Sequence, residues 1–133
     1  SAVRRVGKDV TIVATGVMVS RSLEAAEQLA TQGVEATVID LRTITPLDDA
    51  PIHESVQQTG RLVLVQEAPK HGGFLNEVVA RVTESDSIYR LLAPIKRLYG
   101  LDVPIPYAPQ LEKACVPQLN DIVSTTLEVV RSS

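Results

Sequence analysis

The sequence predicts an α/β domain built as a three-layer α/β/α sandwich. Short apolar runs alternate with segments of helical periodicity along its 133 residues. Strands separated by helices favour parallel strands joined by right-handed crossovers, with helices on both faces of the sheet. The run Leu62–Val65 is apolar without alternation, which is typical of a strand buried on both faces. These two patterns together indicate a single domain organised around a central parallel sheet.

Each predicted strand is short and rich in aliphatic residues. The expected strands are Ala2–Val6, Val10–Ala14, Val34–Asp40, Leu62–Val65 and a fifth around Ile95–Leu98. Only a tight turn separates the first strand from the second. The first strand therefore either pairs antiparallel with its successor or lies elsewhere at an edge of the sheet.

The predicted helices are bounded by capping and breaking residues. Ser20 or Ser22 can cap the first helix, and Gly33 ends it. Asp48 or Asp49 can cap the second, which ends at Thr59 and Gly60. The third is expected over Phe74–Thr83 and the last over Gln118–Val130, whereas Asp86–Leu92 and Gly100–Pro109 are expected to be irregular.

Composition argues against several classes of partner. Aromatic residues make up 3% of the chain, so stacking on nucleic-acid bases is not expected. The net charge is −3, so binding to nucleic-acid phosphates is not expected either. No stretch approaches the ~18 apolar residues of a membrane span. The one cysteine, Cys115, is expected to be a buried apolar residue, and His53 and His71 lack the spacing of a metal site. A reducing compartment is expected, namely the cytoplasm, or the mitochondrial matrix if the source is eukaryotic.

The strongest candidate site is the turn that follows the central strand. Its residues are Glu67, Lys70, His71, Gly72 and Gly73. Free backbone N–H groups at the start of the next helix could hold an anion there. Alternatively, the two glycines only permit a tight turn and close packing of helix on sheet. The dinucleotide-binding, P-loop and hydrolase-elbow motifs are all absent, so the residues by themselves define no complete active site.

Several segments together resemble one known family. They are VTIVATG, VIDLRTITPLD, TGRLVLVQEAPKHGGF, APIKRL and GLDVPIPYAPQLEKACVPQ. In order and spacing they resemble the C-terminal domain of the beta subunit of thiamine-diphosphate-dependent 2-oxo acid dehydrogenases of the pyruvate, acetoin and branched-chain types. The resemblance implies a transketolase C-terminal-like fold, with a five-stranded mixed sheet whose first strand is antiparallel. It also implies that residues 1–133 form one domain of a longer subunit, without the N-terminal domain that binds the cofactor's pyrimidine ring.

The resemblance further implies a role in assembly for this domain. The whole enzyme would decarboxylate a 2-oxo acid, with pyruvate preferred, and transfer the acyl group to a lipoyl group. Thiamine diphosphate and magnesium would be held by the alpha subunit and the N-terminal domain, so no catalytic, cofactor-binding or metal-binding residue is assigned to this chain. The implied partners are the alpha subunit, a second beta subunit and the small, basic subunit-binding domain of the lipoyl acyltransferase. Relatives commonly carry an acidic residue before the Ala93-Pro94 pair, where this chain has Leu92.

Two other interpretations compete with the assembly role. The chain could be a stand-alone α/β binding module with an anion at the Gly72-Gly73 turn, or an independent small enzyme. An isolated assembly domain would expose apolar surface, so self-association as a two-fold dimer is expected. The proline-rich segment supplies the candidate residues for that interface, namely Tyr99, Val103, Ile105 and Tyr107.

Overall fold

The computed structural model describes residues 2–16, 18–41, 49–66, 73–99 and 119–131; of residues 73–76 and 99, only the backbone is described. Its strands are β1 (Ala2–Arg5), β2 (Val10–Ala14), β3 (Ala36–Asp40), β4 (Leu62–Gln66) and β5 (Lys96–Tyr99). Its α-helices are α1 (Met18–Thr31), α2 (Ala50–Thr59), α3 (Gly73–Thr83) and α4 (Leu119–Arg131). A 3-10 helix, Asp86–Arg90, lies between α3 and β5.

The strands form one mixed sheet in the order β1-β3-β2-β4-β5 within the described ranges. β2 pairs in parallel with both β3 and β4, and β4 pairs in parallel with β5. β1 pairs antiparallel with β3, with Ala2 opposite Asp40. Because β2 has a neighbour on each side, β1 cannot pair with its successor and lies at the edge. The expected five-stranded mixed sheet with an antiparallel first strand is confirmed.

Helices cover both faces of the sheet, which gives the three layers. One apolar core joins α1 and α4 to alternate residues of the strands, including Ile12, Val38 and Val63. The other joins α2 and α3 to residues that point the opposite way, such as Val13, Ile39 and Leu64. β2 and β4 are buried along their whole length, as the unbroken apolar runs predict.

The predicted cap of the first helix is wrong. α1 begins at Met18, so Ser20 and Ser22 both lie inside it, and Ser22 is fully buried. The first turn is instead bonded to the preceding turn, where the N–H groups of Met18 and Val19 donate to the carbonyls of Thr15 and Gly16, each at 3.1 Å. Gly16 has a φ of 56°, a left-handed conformation that glycine adopts without strain.

The predictions for α2 and for Asp86–Leu92 need smaller corrections. Asp49 occupies the N-cap position of α2, but its side chain makes no capping hydrogen bond. Residues 86–90 are helical rather than irregular, because Ser85 caps a 3-10 helix by accepting a hydrogen bond from the Ser87 N–H at 3.3 Å. At the end of β3, Asp40 forms an ion pair with Arg4 of β1 at 3.5 Å.

Candidate interaction surface

The expected anion site falls largely outside the described part of the chain. Glu67, Lys70, His71 and Gly72 are not described, whereas Gly73 is the first residue of α3. The helix therefore begins where the sequence predicts, beside the two glycines. Anion binding at this turn stays a prediction.

The expected interface in the proline-rich segment also falls largely outside the described part of the chain. Val103, Ile105, Tyr107 and Cys115 lie outside the described residues, and Tyr99 is the last residue of β5. In the ranges that are described, no helix is long and apolar enough to cross a membrane. The same ranges contain no group of three or more His, Cys, Asp or Glu residues that could hold a metal ion.

A polar cluster joins α2, α3 and the 3-10 helix. We call it the His53 cluster, and it consists of Asp49, His53, Arg81, Ser85 and Ser87. The two ring nitrogens of His53 bond on opposite sides, Nε2 with Asp49 Oδ2 at 2.9 Å and Nδ1 with Ser87 Oγ at 2.8 Å. Arg81 of α3 donates to the same Asp49 oxygen at 3.4 Å. The cluster thus ties three elements together through one carboxylate and one imidazole.

The electrostatics of the cluster favour an ionised Asp49. Partial burial raises the pKa of this carboxyl, but the hydrogen bonds and charges of His53 and Arg81 outweigh that effect. The net pKa of Asp49 therefore lies below its ordinary value of 3.8. Ionised Asp49 accepts charge-assisted hydrogen bonds, which are the stronger kind.

Aspartate, histidine and serine are bonded here in the order of a hydrolase triad. The Ser87 side chain lacks the access that a nucleophile needs, since the residue is 1% exposed. The contacts among Asp49, His53 and Ser87 therefore have a structural role: they anchor the 3-10 helix to α2. Sequence reasoning missed this cluster because His53 and Ser87 are 34 residues apart and neither belongs to a motif.

The 3-10 helix and the residues after it carry an exposed apolar surface. We call it the Tyr89 surface, and it consists of Ile88, Tyr89 and Leu92. These side chains are 41%, 84% and 59% exposed. Large apolar side chains exposed together mark interaction sites more often than single ones do. Two other exposed apolar residues, Val3 and Val6, lie in and just after β1.

Two hydrogen bonds anchor the Tyr89 surface. Ser87 is buried against His53, and the N–H of Leu92 donates to the carbonyl of Gly60 at 2.7 Å. Gly60 has a φ of 70°, and a Cβ added to it would lie 2.8 Å from the Arg90 carbonyl oxygen and 2.8 Å from Leu92 Cγ. Only glycine permits this approach, so the end of α2 sets the position of the exposed residues.

Comparison with known proteins places the chain in a family. The family model described as "Transketolase, C-terminal domain" matches residues 1–122. The chain belongs to the transketolase C-terminal domain family. This transketolase C-terminal domain is similar in structure to a chain described as "split gene transketolase, inactive beta4 tetramer", with a TM-score of 0.78 and 33% identity over 98% of this chain and 42% of that one.

Relatives with similar sequences are beta subunits of dehydrogenases. The domain is 50% identical to pyruvate dehydrogenase E1 component subunit beta-1 of Arabidopsis thaliana, over 91% of this chain and 33% of that protein. It is 46% identical to 2-oxoisovalerate dehydrogenase subunit beta of Bacillus subtilis, over 84% of this chain and 34% of that protein. The chain thus spans about a third of the length of these relatives.

Proposed function

We propose that this domain is the assembly and partner-docking domain of the beta subunit of a 2-oxo acid dehydrogenase. The observation that carries the proposal is an identity of 40–50% to beta subunits of pyruvate and 2-oxoisovalerate dehydrogenases over most of this chain. The described part of the domain supports an assembly role, since it exposes an apolar surface and the serine of its triad-like cluster is buried.

The parent enzyme in this proposal oxidatively decarboxylates a 2-oxo acid and passes the acyl group to a lipoyl group. Pyruvate is the preferred candidate, because the Arabidopsis and Drosophila relatives are named for it. Thiamine diphosphate and magnesium serve the parent enzyme and are held by parts other than this domain. The relatives named mitochondrial favour the matrix in a eukaryotic source, and the bacterial relatives favour the cytoplasm in a bacterial one.

An activity assay separates an assembly domain from an independent enzyme. We expect the purified chain to release no carbon dioxide from pyruvate in the presence of thiamine diphosphate and magnesium. Calorimetric titration with thiamine diphosphate should likewise show no saturable heat. Turnover by the chain alone would contradict the assembly role and favour a small independent enzyme.

The proposed partners are the alpha subunit, a second beta subunit and the basic subunit-binding domain of the acyltransferase. The net charge of −3 suits a basic partner. Self-association as a dimer is supported by the Tyr89 surface and by the similar transketolase chain, which is described as a tetramer of beta chains. Leu92, at the position where the family resemblance implies an acid, is expected to weaken docking of the basic domain.

A further inference from the structure

A groove lies between the edge strand β1 and α2. We call it the β1–α2 groove, and its lining includes Val3, Val6, Thr37, Glu54, Ser55 and Gln58. Its volume is about 210 Å³, which is below the range of roughly 300–1,000 Å³ that is usual for small-molecule sites. The groove therefore suits a side chain of a protein partner better than a substrate or cofactor.

A β-bulge directs two valines of the edge strand to this groove. The pairing of β1 with β3 shifts register between Val3 and Arg5. In a regular strand, residues three apart point to opposite faces of the sheet, whereas a bulge re-aims the side chains that follow it. Val3 and Val6 accordingly both line the groove, and they are 46% and 76% exposed. The bulge thus supplies the groove with two exposed aliphatic side chains.

The buried hydroxyl groups that line the groove are already bonded within the domain. Thr37 Oγ1 donates to the carbonyl of Gly7 and accepts from the N–H of Gly7, each at 2.7 Å. Ser55 Oγ is bonded to Thr11 Oγ1 at 2.6 Å. The polar side chains left to meet a partner are therefore the exposed ones on α2.

Glu54 is the one charged residue in the described lining of the groove, and it is exposed. Within the described ranges, no ion pair joins its carboxylate to another residue. An unpaired carboxylate beside aliphatic side chains complements a lysine or arginine that neighbours an apolar residue. The groove therefore favours a basic partner over an acidic one.

The β1–α2 groove adjoins the Tyr89 surface. Gln58 lines both this groove and the depression bounded by Tyr89 and Leu92. Glu54 precedes Gln58 by one turn of α2, so the two lie on the same side of the helix. A partner that contacts Leu92 can thus also reach Glu54, whose carboxylate is the negative charge that Leu92 does not supply.

We propose that the β1–α2 groove is a contact site for the basic partner domain, with an apolar side chain of that domain packed against Val3 and Val6 and a neighbouring lysine or arginine paired with Glu54. The inference rests on the proposed docking function and names the surface and the carboxylate that serve it. A basic domain is the occupant that the lining favours, because Glu54 would repel an acidic one.

Removing the charge of Glu54 tests the pairing. In calorimetric titration of the 133-residue chain with the purified subunit-binding domain of the pyruvate-type acyltransferase at low salt, we expect E54Q to weaken binding by about fivefold. The loss should shrink at physiological salt, since salt screens an exposed ion pair. V6S should weaken binding by about threefold or more at either salt, because apolar contact area is lost. Glu54 and Val6 are both exposed, so both variants should keep the wild-type melting temperature.

A matched control removes the same charge elsewhere. Glu27 is exposed on α1, which covers the opposite face of the sheet, so E27Q should bind as the wild type does. Wild-type affinity in E54Q or in V6S would overturn the groove as a contact site while leaving docking intact. If V6S altered self-association in sedimentation velocity but not partner binding, the groove would be a contact between copies and the proposal would be wrong. A wild-type chain that binds no subunit-binding domain would contradict both the groove and the docking function.

Discussion

Asp49 lies where the polar contacts of α2 and α3 meet, and its charge is expected to stabilise the fold. Its carboxylate accepts from His53 and Arg81 at 2.9 and 3.4 Å, and its pKa is lowered relative to 3.8. A carboxyl whose pKa is lower in the folded state adds stability above its unfolded pKa. That stability is lost as the pH falls through the folded value.

We therefore expect D49N to lower the free energy of unfolding at pH 7 by about 1 kcal/mol, after allowance for solvent screening. The difference between variant and wild type should shrink as the pH falls from about 5 to below 4. Urea denaturation between pH 3 and pH 7 measures it. E54Q, which removes an exposed charge from the same helix, is the control. If the difference in unfolding free energy between D49N and wild type did not vary with pH, the link between the lowered pKa of Asp49 and stability would be refuted.

Thr11 is a buried polar residue in an otherwise apolar central strand. Its hydroxyl bonds with Ser55 Oγ at 2.6 Å and with Thr59 Oγ1 at 2.8 Å, which joins β2 to α2. T11V should cost about 1–3 kcal/mol of stability, because the buried Ser55 hydroxyl then loses its partner. T11S keeps the hydroxyl and should cost less in the same denaturation assay. A cost of T11S greater than that of T11V would show that packing of the methyl group matters more than the hydrogen bonds.

At the scale of single residues, sequence reasoning succeeded where a local rule applies and failed where partners are distant. The position of Asp49 beside α2 follows from capping preferences, whereas its bond to His53 and the burial of Ser87 depend on how α2, α3 and the 3-10 helix pack. The anion site at Gly72 and Gly73 follows from a local pattern and stays a prediction. Phosphate should raise the melting temperature if it binds there.

Among the elements, the end of α2 controls the position of the exposed surface. Gly60 and Gly33 both have positive φ, at 70° and 82°, but a Cβ at Gly33 would meet nothing within 4 Å. We expect G33A to cost about 1–2 kcal/mol from backbone strain alone. G60A should cost more, since its Cβ would also collide with the Arg90 carbonyl.

Two readouts separate these contributions. Thermal denaturation should give G60A a lower melting temperature than G33A. Sedimentation should show weaker dimerisation for G60A than for G33A, because the Tyr89 surface moves only in G60A. Equal stability and equal association of the two variants would contradict the claim that Gly60 positions that surface.

The spacing of apolar residues predicted most of the strands and helices, whereas packing between elements determined where they begin and end. The apolar runs located β2 and β4 correctly because strands buried on both faces leave an unmistakable pattern. The start of α1 was missed by several residues, because Ser22 resembles a cap in sequence but is buried inside the helix. The 3-10 helix was missed because five residues are too few for a helical period.

For the whole molecule, we propose that this domain docks a basic acyltransferase domain. The partner should be attracted by the net charge of −3, so binding should weaken as salt is raised. L92D places an acid where the family resemblance implies one and should strengthen binding, whereas L92N, which has a neutral side chain of the same shape as Asp, should not. Equal affinities of the two variants would show that a carboxylate at this position has no part in docking.

The most direct measurement is calorimetric titration of the chain with purified subunit-binding domains from the pyruvate, acetoin and branched-chain acyltransferases, at low and at physiological salt. We expect saturable binding to the pyruvate type, stronger at low salt. Saturable binding to another type would keep the docking role and change the substrate class. No binding to any of the three, by a chain shown to be folded and dimeric, would contradict the docking role and leave the domain a unit of assembly alone.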